Sequence, residues 1–155
     1  MSRTLMIAAA SVVVVMLWQT AFAQGQSGTA DEARAMLLKA VAAVKADRDV
    51  ALMMFNKGEG GFKDRDLYAF CDRIGDGKVV AGLAGIPAGT DIRTLKDTTG
   101  KAIGLELYAA MQKPEGQITE VSYMFPKPGT TAPAVPKVSF VTRVGDLGCG
   151  VGYYK

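Results

Sequence analysis

Aromatic and cationic side chains recur at strand spacing in residues 122–144, where two alternating apolar runs flank a proline-rich break. Tyr123 and Phe125 share one face of the first run, because successive side chains of a strand point to opposite faces. Lys137 begins the second run, directly after Pro136. An ammonium fixed at a strand start beside tyrosine hydroxyls can pair with a small carboxylate in a mostly apolar pocket. The alternative is a sheet core formed by the two aromatic residues, with Lys137 as a solvated edge residue.

The composition argues against catalysis and against nucleic-acid binding. The chain contains no His, so a Ser or Cys nucleophile would need a Lys or a carboxylate as its base, and no Ser lies in a Gly-x-Ser-x-Gly elbow. The nearby carboxylates Asp64 and Asp66, or Asp91 and Asp97, fall in segments predicted to be loop or strand edge, where acids mostly stay solvated. A formal net charge of +3, evenly spread, indicates neither a nucleic-acid surface nor a membrane surface. We therefore predict a protein that is not an enzyme and carries no cofactor.

The first 23 residues have the pattern of a secretory signal peptide. Arg3 is followed by an apolar run from Leu5 to Trp18 and by the small-x-small pattern Ala21-Phe22-Ala23. The run is shorter than the roughly 18 to 20 residues of a membrane-spanning helix, which leaves an uncleaved anchor as the alternative. We predict cleavage after Ala23 and a single domain over residues 24–155. This domain is expected to be periplasmic or secreted, with no later membrane span.

Only two cysteines are present, Cys71 and Cys149. An even pair in an exported chain favours one disulfide over two buried, unbridged thiols, because the compartment is oxidising. The bridge would close a loop of about 78 residues, which the chain-entropy model credits with roughly 4 kcal/mol of stability. A metal site is not predicted, since the chain has no His and neither Cys has a close-spaced partner.

Two helices are predicted on either side of a hairpin. Thr29-Ala30-Asp31-Glu32 is a capping box, and apolar residues then recur at helical spacing until Lys57-Gly58. This pattern predicts one long amphipathic helix. A second helix is predicted from a cap at Thr98 or Thr99 to about Gln112.

Five strands are predicted from period-2 alternation and turn residues: 66–74, 78–81, 117–125, 137–144 and 147 to the terminus. Gly75-Asp76-Gly77 provides the tight turn between the first two. This order predicts an α+β fold with a five-stranded antiparallel sheet, covered on one face by the long amino-terminal helix. On the last strand Gly148, Gly150 and Gly152 share one face, which allows close approach by a helix backbone or a ligand.

Four stretches together resemble a known family: "DLYAFCDRIGDGKVVAG", "LKDTTGKAIGLELYAAM", "GQITEVSYMFPKPGTTAPAVPKVSFVTRV" and "GCGVGYYK". With the long capped helix before them, they look like a single Cache domain of the type 2 class, the extracellular sensor module of bacterial chemoreceptors and histidine kinases. The resemblance covers nearly all of residues 24–155, in order. It implies a PAS-like antiparallel sheet with a long helix behind it, and a small-molecule pocket between the sheet and the crossover segment. Where such domains commonly carry Ala-His-Pro after the hairpin, this chain reads Ala81-Gly82-Leu83.

The resemblance also implies a set of pocket residues and a function. By position, the ligand-binding candidates are Tyr123, Phe125, Lys137, Tyr108 and Tyr68, with Lys137 as the carboxylate partner. The function implied is a periplasmic, non-catalytic module that binds a short organic acid or similar metabolite and acts on a membrane receptor or another periplasmic partner. The alternative is a structural or interaction subunit of a periplasmic complex, in which the pocket is degenerate.

Overall fold

The amino-terminal helix of the structure starts where the capping box predicts. The computed structural model describes residues 27–82 and 85–155, so the predicted signal peptide lies outside the described residues. Helix α1 covers Ala30–Ala46. The Thr29 hydroxyl accepts from the Glu32 amide at 3.2 Å, and the Glu32 carboxylate accepts from the Thr29 amide at 2.8 Å. These two bonds satisfy amides that a helix start leaves without partners, which confirms the predicted start.

The prediction of one helix reaching Lys57 is wrong, because the helix breaks at Asp47. This residue has an extended backbone (φ −158°), and its carboxylate accepts from the amide of Val50, the third residue of a new helix. Helix α2 covers Arg48–Lys57 and ends at Gly58 in the left-handed conformation. The apolar periodicity continues through the break, which is why the sequence pattern did not show it. Asp47 permits the break because an N-cap carboxylate replaces the interrupted backbone bonds.

Six antiparallel strands of the described residues form the sheet: β1 (Lys63–Asp64), β2 (Leu67–Arg73), β3 (Val79–Ala81), β4 (Thr119–Pro126), β5 (Ala134–Val144) and β6 (Leu147–Tyr154). Their order is β1-β2-β6-β5-β4, and β3 also pairs with β2. The five predicted strands are β2 to β6, and the α+β class is confirmed. Of the strands in the described residues, only the two-residue β1 was not predicted.

Strand β5 begins earlier than its prolines indicated. Pro136 lies within the strand, opposite Met124 of β4, and its carbonyl accepts from the Lys155 amide at 3.0 Å. A proline lacks only the donor of its peptide group, so it can still join a ladder through its acceptor. The predicted start at Lys137 is therefore wrong by three residues.

The second predicted helix, α3, covers Ile103–Met111, and the predicted threonine cap is wrong. Its N-cap residue is Ala102, which makes no capping bond through its side chain. Thr99 instead belongs to a preceding loop, where the Asp97 carboxylate accepts from the Thr99 amide and hydroxyl and from the Lys101 amide. The short polar residues that resemble a cap stabilise this loop.

Both faces of the sheet are covered over its inner strands, whereas β4 at the edge exposes Glu120 and Ser122 on one face. Helices α1 and α2 cover one face, as predicted, with Leu37 and Phe55 packed among β2, β5 and β6 residues such as Val151. Helix α3 and the 3-10 turn Ile92–Thr94 cover the other face, where Leu107 packs near Phe70. No helix among the described residues has the length and apolarity needed to cross a membrane.

The predicted disulfide is confirmed. Cys71 and Cys149 are directly opposite each other on β2 and β6, with their sulfurs 2.06 Å apart. The bridge joins residues 78 positions apart in the chain. It therefore ties the two strands at the centre of the sheet.

Candidate functional site

Lys137 is the most deeply buried cation of the described residues. Its residue exposure is 1 %, and its Nζ donates a hydrogen bond of 2.7 Å to the Tyr68 hydroxyl. Strand pairing explains the placement: Lys137 is opposite Tyr123 on β4 and Tyr154 on β6. All three side chains and Tyr68 point to the sheet face that α3 covers, by the two-residue alternation of strands.

Three aromatic rings surround this ammonium. Its Nζ lies 4.2 Å from the ring centroid of Tyr68, 4.8 Å from that of Tyr154 and 5.2 Å from that of Phe125. We call these three residues the Lys137 cage. A cation within about 6 Å of a ring centroid is attracted by the ring quadrupole, more strongly when water is excluded. The cage therefore replaces part of the hydration that Lys137 loses.

A glycine makes this arrangement possible. Gly152 lies on β6 between Ser139 of β5 and the start of β2, and a side chain there would overlap Cε of Lys137 and Oγ of Ser139. The Lys137 side chain thus crosses β6 over Gly152 to reach Tyr68. The other two glycines of this strand face leave room for Met111 and Phe70. The space above these three glycines, where a helix backbone or a ligand was predicted to approach, is therefore filled by side chains.

No carboxylate pairs with Lys137 within the described residues. Burial lowers the pKa of Lys137 to about 7, and the charge of Asp66 opposes this effect without cancelling it. Asp66 has other partners, because it accepts from the Gly28 amide at 2.7 Å and lies 3.4 Å from Lys127. Near neutral pH the Lys137 amine is therefore present in both charged and uncharged forms.

Four of the five predicted site residues lie together. Tyr68 and Phe125 belong to the Lys137 cage, and Tyr123 is adjacent: its ring meets that of Phe125 edge-on at 5.9 Å. The Tyr123 hydroxyl shares a hydrogen bond of 2.7 Å with Ser139. Whether these residues bind a ligand stays a prediction.

Tyr108 lies elsewhere. Its hydroxyl donates to the carbonyl of Ile74 at 2.7 Å, and the Arg93 guanidinium lies 5.3 Å from its ring centroid. Ile74 is six residues along the chain from Tyr68, or about 20 Å at the rise of a strand. Tyr108 therefore closes the hairpin end of the sheet and is not brought to the cage.

Sequence reasoning missed two residues on this face. Tyr154 completes the cage, and its hydroxyl donates to the Pro126 carbonyl at 2.7 Å. The alternation that placed Gly148, Gly150 and Gly152 on one face also places Tyr154 there, so the signal was present.

The second missed residue is Asp72, which is fully buried. Neither of its carboxyl oxygens has a hydrogen-bond partner among the described residues. Burial raises its pKa to about 8. At neutral pH Asp72 is therefore mainly a neutral acid, in the apolar core below α3. Burial likewise raises the pKa of Tyr123, to about 12, and the proximity of Asp72 adds to that rise.

A cavity of about 260 Å³ adjoins the cage at Tyr68. Its walls come from the end of α2, the hairpin β2–β3 with the segment after it, and the β4–β5 connection; they include Phe55, Lys57, Lys63, Tyr68, Ile86 and Pro128. Tyr68 is thus a wall of the cavity and also the hydrogen-bond partner of the buried ammonium.

A second cavity, of about 270 Å³, borders Lys137. Its lining includes Ser122, Met124, Pro136 and Val138, which alternate with Tyr123 and Lys137 and so point away from the cage. Tyr123 and Lys137 also line this cavity, together with Asp97, Thr99 and Lys101 of the loop before α3.

Comparison with known proteins identifies the fold. A methyl-accepting chemotaxis protein from Vibrio parahaemolyticus has a TM-score of 0.62 and 22% identity, over 80% of this chain and 86% of that one. A Cache chemosensory domain, solved as the structural basis for carboxylic acid recognition, has a TM-score of 0.58 and 22% identity, over 80% and 91%. A periplasmic sensor domain of a chemotaxis protein has a TM-score of 0.56 and 22% identity, over 80% and 88%. No protein-family model and no curated protein matches the chain in sequence.

Proposed function

We propose that this chain, which has the fold of Cache chemosensory domains, binds a small carboxylate and acts as a non-catalytic sensor module. The observation that carries the proposal is the buried ammonium of Lys137, which has no anionic partner of its own among the described residues. One of the structural neighbours is a Cache domain that recognises carboxylic acids, and that chemistry fits a site built around a cation.

The energetics favour an anionic ligand. An ammonium removed from water without a counter-ion is destabilising, and the lowered pKa of Lys137 reports that penalty. A carboxylate in contact with Nζ would restore the missing charge pair in a site where water does not screen it. Within the described residues, Nζ uses one of its three N–H groups, in the bond to Tyr68, so two are available to carboxylate oxygens.

The cavity beside Tyr68 offers a place for the ligand. Its volume of about 260 Å³ lies just below the range of roughly 300 to 1,000 Å³ for sites of drug-sized molecules, which suits a short acid. We propose that a turn of the Tyr68 side chain brings the Lys137 ammonium to the cavity wall. Lys57 and Lys63, both exposed at the rim, would attract an anion towards it.

The cellular setting belongs to the same proposal. Two of the structural neighbours are chemotaxis proteins, and one of these is a periplasmic sensor domain. We propose that cleavage after Ala23 releases residues 24–155 into the periplasm, where the ligand-bound form contacts a membrane receptor or another periplasmic partner.

Thermal or chemical unfolding with a panel of short acids tests the proposal. A ligand that binds only the folded state stabilises it by about 2.7 kcal/mol at 100 times its dissociation constant. We expect at least one acid to do so for the wild type and for Lys113→Met, which changes an exposed lysine. The same acid should have no effect on Lys137→Met.

A second pair of variants tests whether the space around the Lys137 side chain is needed for binding. Gly152→Ala places a methyl group where the Lys137 side chain lies, whereas Gly75→Ala adds one in open space. Loss of the response in Gly152→Ala alone would support the site. A response that survives Lys137→Met would place binding elsewhere. No response to any acid would favour the alternative, an interaction subunit whose cage is filled by its own lysine.

A further inference from the structure

The surroundings of Lys137 suit an amine that acts as a nucleophile in addition to forming an ion pair. A buried lysine held in an apolar site is the form in which the side chain becomes a nucleophile, because desolvation favours the uncharged amine. In Lys137 the Nζ is enclosed by three aromatic rings and bonded to a phenol hydroxyl, not to a carboxylate. The rings and the charge of Asp66 favour the ammonium, but desolvation outweighs them and lowers the pKa of Lys137.

We propose that Lys137 forms a reversible imine with small 2-oxo or aldehyde acids. The proposal rests on the carboxylate site proposed above for its ligand class, and adds that a carbonyl next to the carboxylate bonds covalently to Nζ. Acids without a carbonyl group would bind by ion pairing alone.

The step balances without any further reactant. The lone pair of Nζ attacks the carbonyl carbon, a C–N bond forms, and the carbonyl oxygen takes up a proton. The resulting carbinolamine loses water, the nitrogen gives up a proton, and a C=N bond remains. Hydrolysis reverses the sequence, so no oxidant or reductant is consumed.

The Tyr68 hydroxyl is placed to move these protons. The Tyr68 oxygen lies 2.7 Å from Nζ, within the distance needed for proton transfer. The Tyr154 hydroxyl donates to the Pro126 carbonyl at 2.7 Å, which ties the Lys137 cage to the β4–β5 connection. The other charged groups around Tyr68 and Tyr154 include Lys63, opposite Tyr68 on β1, and Asp66 and Lys127, whose side chains lie 3.4 Å apart and pair with each other.

The other lysines provide an internal comparison. Lys45 and Lys101, for example, have side chains 58% and 40% exposed, and each is paired with a glutamate. Burial lowers the Lys137 pKa to about 7, so at neutral pH its uncharged fraction is roughly a thousand times that of an unperturbed lysine. An acid that reaches the buried amine should therefore react preferentially with Lys137.

Reductive trapping tests the proposal. The folded protein is incubated at pH 7 with pyruvate or glyoxylate and sodium cyanoborohydride, and the adducts are mapped by peptide mass spectrometry. We expect one adduct per chain at Lys137, formed on the order of 10 times faster or more than at any exposed lysine. It should be absent in Lys137→Met and after unfolding in urea, and present in Lys113→Met. Tyr68→Phe, which keeps the ring and removes the hydroxyl, should slow trapping.

Lactate and glycolate, which replace the carbonyl by a hydroxyl, separate this inference from the proposed function. If they stabilise the protein through Lys137 but pyruvate and glyoxylate leave no adduct there, the imine is refuted and the carboxylate site stands. An adduct at Lys137 without binding of lactate or glycolate supports the imine and refutes simple ion pairing. Adducts confined to exposed lysines, together with no binding of any acid, overturn both proposals.

Discussion

Replacing Lys137 by Met should make the protein more stable at pH 7, although it removes the residue on which the proposed ligand binding depends. Met has a similar length and no branches, so it can occupy the same channel over Gly152 and contact the same rings. The substitution removes a buried charge without leaving a large cavity. Binding and stability are therefore expected to change in opposite directions.

The magnitude follows from the pKa of Lys137, which burial lowers from 10.5 to about 7. At about 1.36 kcal/mol per pH unit, keeping this lysine buried costs the folded state about 5 kcal/mol at or below pH 7. Against this, Met loses the hydrogen bond to Tyr68, worth about 1 kcal/mol, and cation–π attraction of about 1 to 2 kcal/mol. We expect a net gain of about 2 to 3 kcal/mol for Lys137→Met.

The pH dependence gives the sharper test. Between about pH 7 and pH 10.5 the unfolded chain carries a proton on this lysine that the folded chain has lost. Wild-type stability therefore rises with pH in that window, by up to about 1.4 kcal/mol per unit relative to Lys137→Met. The Tyr68 pKa is raised well above 10 by burial, so this hydroxyl stays protonated over the lower part of the window. The advantage of the variant should be largest below pH 7 and should disappear near pH 9.

Urea unfolding at pH 6, 7.5 and 9 measures this difference, with Lys113→Met as the control that should follow the wild type at each pH. A gap between wild type and Lys137→Met that is the same at pH 6 and pH 9 would refute the argument. It would mean that the lysine keeps its proton in the folded state, and that rings and hydroxyl compensate fully for its burial.

Two further outcomes follow from buried groups. Asp72→Asn should gain stability over the wild type as pH rises from about 4 to 8, by up to about 1.4 kcal/mol per pH unit. The reason is that the folded wild type keeps a proton on Asp72 that the unfolded chain releases. Urea unfolding at pH 4 and pH 8 checks this, and the same stability difference between variant and wild type at both pH values would contradict it. Joint replacement of Cys71 and Cys149 by Ala should lower the free energy of unfolding by roughly 4 kcal/mol. Alkylation of the unfolded, unreduced wild type should modify neither cysteine, and two labelled thiols would disprove the bridge.

Local sequence rules predicted the structure correctly where the interactions lie within one short segment. The capping box at Thr29 fixed the start of α1, because its bonds involve only residues within one turn. Two-residue alternation placed Tyr123 and Phe125 on one shared face of their strand, since a strand permits no other arrangement. Helical periodicity did not predict the break at Asp47, because the apolar pattern continues across it while the backbone leaves the helical conformation.

The burial and the partners of Lys137 depend on the tertiary structure. A lysine after a proline at a strand start is usually solvated, and no local pattern distinguishes it from a buried one. Burial arises because β6 places Gly152 next to it and β2 places Tyr68 beyond that glycine, although these residues are far apart in sequence. The sequence by itself thus determined the residue types, the strand faces and the disulfide pair. Only the order of the strands decided that one ammonium is enclosed by aromatic rings, because register and neighbours are properties of the whole sheet.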